Sequence, residues 1–157
     1  FMEEFNQERL QVTDLEEGMY RLTIGDLFID NLSSKELADG VNLAIYPNTP
    51  QYQQAAKIMY LNEERFEVEK RFREYLWIEC SFLKKEGLLF ADNQQAVDKL
   101  KEYLPKDIFL KASYDWYIKA MHPEIREVWG DYIKKIVETI YKINRPVTQK
   151  VRLTKIE

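Results

Sequence analysis

The chain has 157 residues, 45% hydrophobic and 32% charged, with 23 basic against 27 acidic side chains. It therefore has the apolar content for a core of its own, and a barrel enzyme, a disordered tail and a large multidomain assembly are excluded. The net charge of −4 lacks the clustered positive excess of a nucleic-acid footprint, and no run approaches the roughly 18 apolar residues of a membrane span. A lone Cys80 cannot build a disulfide framework. The opening Phe1-Met2-Glu3-Glu4 is acidic where a signal peptide is basic. The chain as given therefore reads as soluble, and a first residue other than Met reads as a cut terminus. Five Gly and five Pro are about half of average usage, which predicts long regular elements, chiefly helices.

The first 48 residues read as a β-hairpin region. Leu10 and Val12 alternate with polar residues across Glu8 to Thr13, and Met19 to Ile24 and Leu27 to Leu32 are short runs joined by Gly25-Asp26, a two-residue hairpin turn. Ser33 with Glu36 is a capping box, so residues 34 to 39 form a short helix stopped by Gly40. Val41 to Tyr46 reads as another extended run. Thr49-Pro50 starts a helix, because the Thr hydroxyl satisfies an orphan N–H and Pro gives up none. The 36 residues from Gln51 to Glu86 contain no Gly or Pro and would span about 54 Å; a bend is expected near Asn62 to Glu64. Leu61, Val68, Phe72, Tyr75, Leu76, Phe82 and Leu83 form its buried stripe. Asp92 with Gln95 caps a helix through Tyr103, another covers Lys106 to Met121, and Pro123 opens a third. Ile125, Val128, Trp129, Tyr132, Ile133, Ile136, Val137, Ile140 and Ile143 give that third helix a broad apolar face. The helical region thus runs from 49 to 144, and residues 147–155 close the chain as a strand with Val147, Val151 and Leu153 on one side. The predicted class is α+β, a single domain over 1–157: a small antiparallel sheet from both chain ends with about four helices, one very long.

Few residues offer chemistry. His122 is the sole histidine, which removes two-histidine metal sites; between Met121 and Pro123 it reads as a cap or packed spacer. Ser33, Ser34, Ser81 and Ser113 lack a nucleophile-elbow context, and Cys80 reads as a buried, inert thiol. Glu63, Glu64, Glu67, Glu69 and Glu74 are interleaved with Arg65, Lys70, Arg71 and Arg73, a solvated face laced by i,i+4 pairs such as Glu67 with Arg71 and Glu69 with Arg73. Tyr114, Trp116 and Tyr117 form the densest aromatic cluster, and at least one of three residues so spaced on a helix should face outward. No catalytic, metal or cofactor-binding residue is assigned, and no cofactor is expected.

Gly18 to Asp26, Ser33 to Leu37, Gly40-Val41-Asn42-Leu43-Ala44 and Asn48-Thr49-Pro50-Gln51-Tyr52-Gln53-Gln54-Ala55 together resemble the C-terminal region of bacterial SGNH/GDSL hydrolases. Weaker likeness over Glu64 to Trp77 and His122 to Val151 extends this to most of the chain. The resemblance implies an ester hydrolase, with acetylated carbohydrate as the expected substrate class, whose Ser nucleophile, oxyanion hole and Asp-x-x-His pair sit in a preceding α/β domain. None of those motifs is matched: Leu27 follows Gly25-Asp26 where Ser is needed, and Lys119 stands three before His122. The expectation is a non-catalytic C-terminal portion, inactive alone, that supports its parent or shapes its cleft. Its expected partner is the N-terminal SGNH catalytic domain, with self-association through exposed helix faces as a second contact and no nucleic acid. A leader on the parent would make it periplasmic or secreted. The alternative is a stand-alone module binding a glycan or protein. Asn42, Thr49, Gln51, Tyr114, Trp116 and Tyr117 are the candidate binding residues; capping and turn roles account equally for the first three.

Overall fold

The structure, a computed structural model, describes residues 4–156 and is α+β, as expected. The chain groups into two compact units, one formed by the residues up to Met59 together with those from Ile143, the other by Tyr60–Lys142.

In the first unit, β2 (Met19–Ile24) is the middle strand of an antiparallel sheet, between β3 (Leu27–Ser33) and β5 (Val151–Lys155). Both ends of the chain therefore build it. The predicted hairpin closes with Ile24 opposite Leu27, and Gly25 at φ 61° supplies the turn. A bulge at Leu22/Thr23 shifts the side-chain phase of β3 and turns Ile29 inward, where it joins Leu22, Ile24, Leu32, Leu37 and Leu43 in the core of this unit. The closing strand starts at Val151, later than the 147 expected, because its partner β2 ends there: Ile24 pairs with Val151, and Gly25 N–H donates to Lys150 O. Val147 and Val151 are exposed, and only Leu153 of the three valine and leucine positions packs on the core.

Helix α1 (Ser34–Asp39) has the predicted capping box, with Glu36 N–H donating to Ser33 Oγ and Ser33 N–H donating to Glu36 Oε2. Strand β1 (Arg9–Leu10) pairs with β4 (Val41–Asn42), and both are shorter than predicted. The cause is Asn42, whose side chain accepts from Ala44 N–H and turns Leu43–Ile45 into a 3₁₀ helix where an extended run was expected.

Helix α2 (Pro50–Ile78) begins as predicted, with Tyr52 N–H donating to the fully buried Thr49 hydroxyl. It continues through Asn62–Glu64 without interruption. The irregularity comes later, as a π-helical turn over Glu79–Leu83 and a 3₁₀ turn over Lys84–Glu86 that stops at Gly87 in the left-handed conformation. The second unit adds α3 (Gln94–Tyr103), α4 (Ile108–Ala120) and α5 (Pro123–Ile143). Asn93, one residue past the expected Asp92, caps α3 by accepting from Ala96 N–H, which leaves the Asp92 carboxylate free for another task. Val68, Tyr75, Ile78, Leu83, Leu100, Leu110, Tyr117 and Trp129 fill this unit's core. Leu76, expected inside, is exposed: the stripe runs through 75, 78, 79, 82 and 83, and Leu76 lies off it. On α5 the apolar face is wider than the core it meets, so Trp129 and Ile136 are buried while Ile125, Val128 and Tyr132 are exposed.

Candidate functional site

A carboxylate in the apolar stripe is the feature that pattern reading passed over. Glu79 follows Tyr75 by one helical turn and precedes Leu83 by another, so the helix that buries those two buries Glu79 completely. Its Oε2 accepts from Phe90 N–H at 2.5 Å. Its Oε1 is enclosed without a hydrogen-bond partner, and so is the hydroxyl of Tyr117, which lies close enough to act on it electrostatically. Burial pushes the Glu79 carboxyl above its ordinary range; the Phe90 N–H opposes that rise, and the nearby Asp92 charge adds to it. Burial likewise raises the phenols of Tyr75 and Tyr117, so both stay neutral.

The loop beside Glu79 is built to reach it. Phe90 and Asp92 adopt φ of 54° and 44°, conformations uncommon outside glycine, and this places the Phe90 N–H on Glu79 and aims Asp92 at two partners. Tyr75 Oη donates to Asp92 Oδ1 at 2.8 Å, and Arg126 Nη2 donates to Asp92 Oδ2 at 2.9 Å. Arg126 also donates to Ala120 O and lies over the Tyr75 ring at 4.8 Å, and the Tyr75 and Tyr117 rings stack at 5.7 Å. One network thus joins α2 and its π turn, the 88–92 loop, α4 and α5. It encloses Glu79, whose carboxyl burial pushes upward, in a site closed to solvent, which suits fixing the helices against each other better than acting on a substrate. Among the described residues no cluster of three or more His, Cys, Asp or Glu could hold a metal ion.

The open feature of the same unit is a cleft of about 530 Å³ between α2 and α4, walled by Lys70, Arg73, Glu74, Trp77, Phe109 and Ala112. Lys70 pairs with Glu74 at 4.0 Å and Arg73 with Glu69 at 3.7 Å, while Arg73 also covers the Phe66 ring at 4.6 Å.

Of the aromatic candidates, Tyr117 is fully buried and Tyr114 and Trp116 are half-buried against the same core. The outward position expected of the trio belongs to Asp115 between them. Trp116 is covered by Arg71 at 4.6 Å and Lys119 at 4.6 Å, so Arg71 serves the tryptophan where a pair with Glu67 was expected. The polar candidates are in the first unit. Asn42 accepts from Glu8 N–H and donates to Asn6 O, and Thr49 Oγ1 donates to Tyr46 O. Gln51 donates to Glu8 Oε1 at 2.6 Å and lines a shallow cavity of about 260 Å³ with Gln54 and Arg145. The two groups of candidates fall in different units. His122 is exposed in the turn before α5, its carbonyl accepting from Ile125 and Arg126 N–H. Cys80 is exposed, a correction to the buried thiol expected, because it occupies the helix face opposite Ile78 and Glu79.

Comparison with known proteins adds what geometry cannot. No curated protein matches the chain. The solved structure of a gut microbial diltiazem-metabolizing enzyme is similar at 45% identity and a TM-score of 0.92, over 99% of this chain but 35% of that one, so the chain spans about a third of the length of the enzyme it matches. Residues 56–145 match the family described as the diltiazem deacetylase C-terminal helical domain, and since that is more than half of its length, the chain belongs to this family.

Proposed function

We propose that this chain is the non-catalytic C-terminal portion of a longer ester hydrolase that removes acetyl groups, and that it supports or shapes the catalytic part without taking part in the bond-breaking step. The observation carrying this reading is the 45% identity over 99% of the chain to one third of a diltiazem-metabolizing enzyme. Likeness of that extent supports reading the chain as one portion of such a hydrolase. The residues support the division of labour: the enclosed acid Glu79 is occupied by Phe90 N–H, and the Ser33 hydroxyl that donates to Glu36 Oε2 does so inside the capping box of α1, where both side chains serve the helix start. The parent is read as an SGNH-type serine esterase, whose acyl-enzyme chemistry needs no metal, and its other portion is this chain's partner. Acetylated carbohydrate or a drug ester of the diltiazem kind is its substrate class.

The test compares this chain with the longer polypeptide on 4-nitrophenyl acetate. The expected result is turnover by the longer polypeptide alone, lost when its nucleophilic serine is changed. Steady turnover by this chain, abolished by His122→Ala, would refute the reading.

A further inference from the structure

Ile108 and Phe109 open α4 with 76% and 72% of their surface exposed. The exposure is imposed by the cap: Asp107 accepts from Phe109 and Leu110 N–H, each at 2.9 Å, which fixes the first turn with Leu110 buried and its two predecessors outward. The core face of α4 is already supplied by Leu110, Ser113, Tyr117 and Ala120, so neither residue is needed inside. Leaving each in water forgoes roughly 1.5–3 kcal/mol of burial. Phe109 is also a wall of the cleft of about 530 Å³, together with Trp77 and Ala112, and the exposed Phe66 under Arg73 extends the apolar surface along α2. The cations at the rim are neutralised within the unit by Glu69 and Glu74. A surface with paired charges and projecting aromatics recognises an apolar segment, and carries no excess charge for an acidic one.

The occupant follows from length. The similar enzyme has nearly two thirds of its chain outside the match. We propose that the α2–α4 cleft, with the exposed Phe109 in its wall, seats an apolar segment of the hydrolase's larger, catalytic portion. The inference rests on the reading of this chain as part of such a hydrolase, and adds the surface through which the two portions meet.

Thiol labelling in the longer polypeptide tests it. In a Cys80→Ser background, Phe109→Cys, Ala112→Cys and Lys134→Cys are made singly, and each labelling rate is divided into that of the same variant in denaturant. Lys134 projects into solvent from α5 and is the reference. Phe109→Cys and Ala112→Cys should be protected at least tenfold more than Lys134→Cys, independently of protein concentration. Equal protection at all three positions would overturn the proposal, as would protection that vanishes on dilution, which would make a second copy the occupant. Acetate hydrolysis by the same preparations separates the two claims: activity with no protection refutes the docking surface and leaves the functional reading standing, whereas protection with no activity does the reverse.

Discussion

Glu79→Gln should stabilise the domain at neutral and alkaline pH. The carboxyl is fully buried, with one oxygen on Phe90 N–H and the other unpartnered. Burial holds it protonated above its ordinary value of 4.5. In the unfolded chain the group ionises at that ordinary value, so above it the native state binds the extra proton and stability falls as pH rises, until the folded carboxyl itself titrates. Within that window a single group contributes a slope of about 1.4 kcal/mol per pH unit. Gln cannot ionise, keeps an oxygen for Phe90 N–H and offers an N–H to the Tyr117 hydroxyl. Ionising a buried carboxyl without full hydrogen bonding costs about 1–3 kcal/mol, a cost that the wild type meets only above its ordinary range and Gln never meets, so the variant should exceed the wild type by that amount at pH 8 and converge with it near pH 4. Urea denaturation followed by circular dichroism from pH 4 to 8 measures both slopes. Parallel slopes, or a variant less stable throughout, would mean that Glu79 is ionised and held by Arg126, and the reasoning fails.

Other perturbations probe the rest of the architecture. Arg126→Met should cost about 2–3 kcal/mol, less than a fully buried pair because both side chains retain some exposure, since Asp92 then keeps its charge with only the Tyr75 hydroxyl as partner; denaturant midpoints measure it, and a loss under 0.5 kcal/mol would show that the ion pair is idle. Gly40→Ala should destabilise by roughly 1–2 kcal/mol or more, because Gly40 sits at φ 96° and an added Cβ would meet the Arg9 guanidinium that bonds Asp39 O; relieving the contact with Arg9→Ala in the same chain should recover only part of the loss. Trp129→Ala should cost about 3–5 kcal/mol, as the ring is buried edge-on against Phe72 and Trp116, whereas Val128→Ala next to it should change stability little.

Much of the fold was legible where a residue's local chemistry decides its structure alone. Ser33 with Glu36, Thr49-Pro50, Gly25 and Pro123 are punctuation that acts within four residues, and each fell where read. Errors came where a distant partner decides. The start of β5 is set by the end of β2 some 130 residues away, and β4 stops because Asn42 has an alternative use for its side chain. The network around Glu79 was missed because charge at helical spacing reads as surface. The available signal was its phase: Glu79 lies on the line through Tyr75 and Leu83, where any solvated carboxylate would be out of place. The cleft was illegible because exposure of Phe109 depends on which of its helix neighbours already fill the core.

The position of β2 between β3 and β5 has a consequence for synthesis on the ribosome. The hairpin emerges early, yet one edge of its central strand stays unpaired until the polypeptide has been translated through Lys155. Contacts separated by so much sequence close slowly, and an open strand edge invites pairing with neighbouring chains. The intervening helices can complete their own core first, so the order of emergence makes the sheet the last part to mature and the part most in need of shielding while it waits.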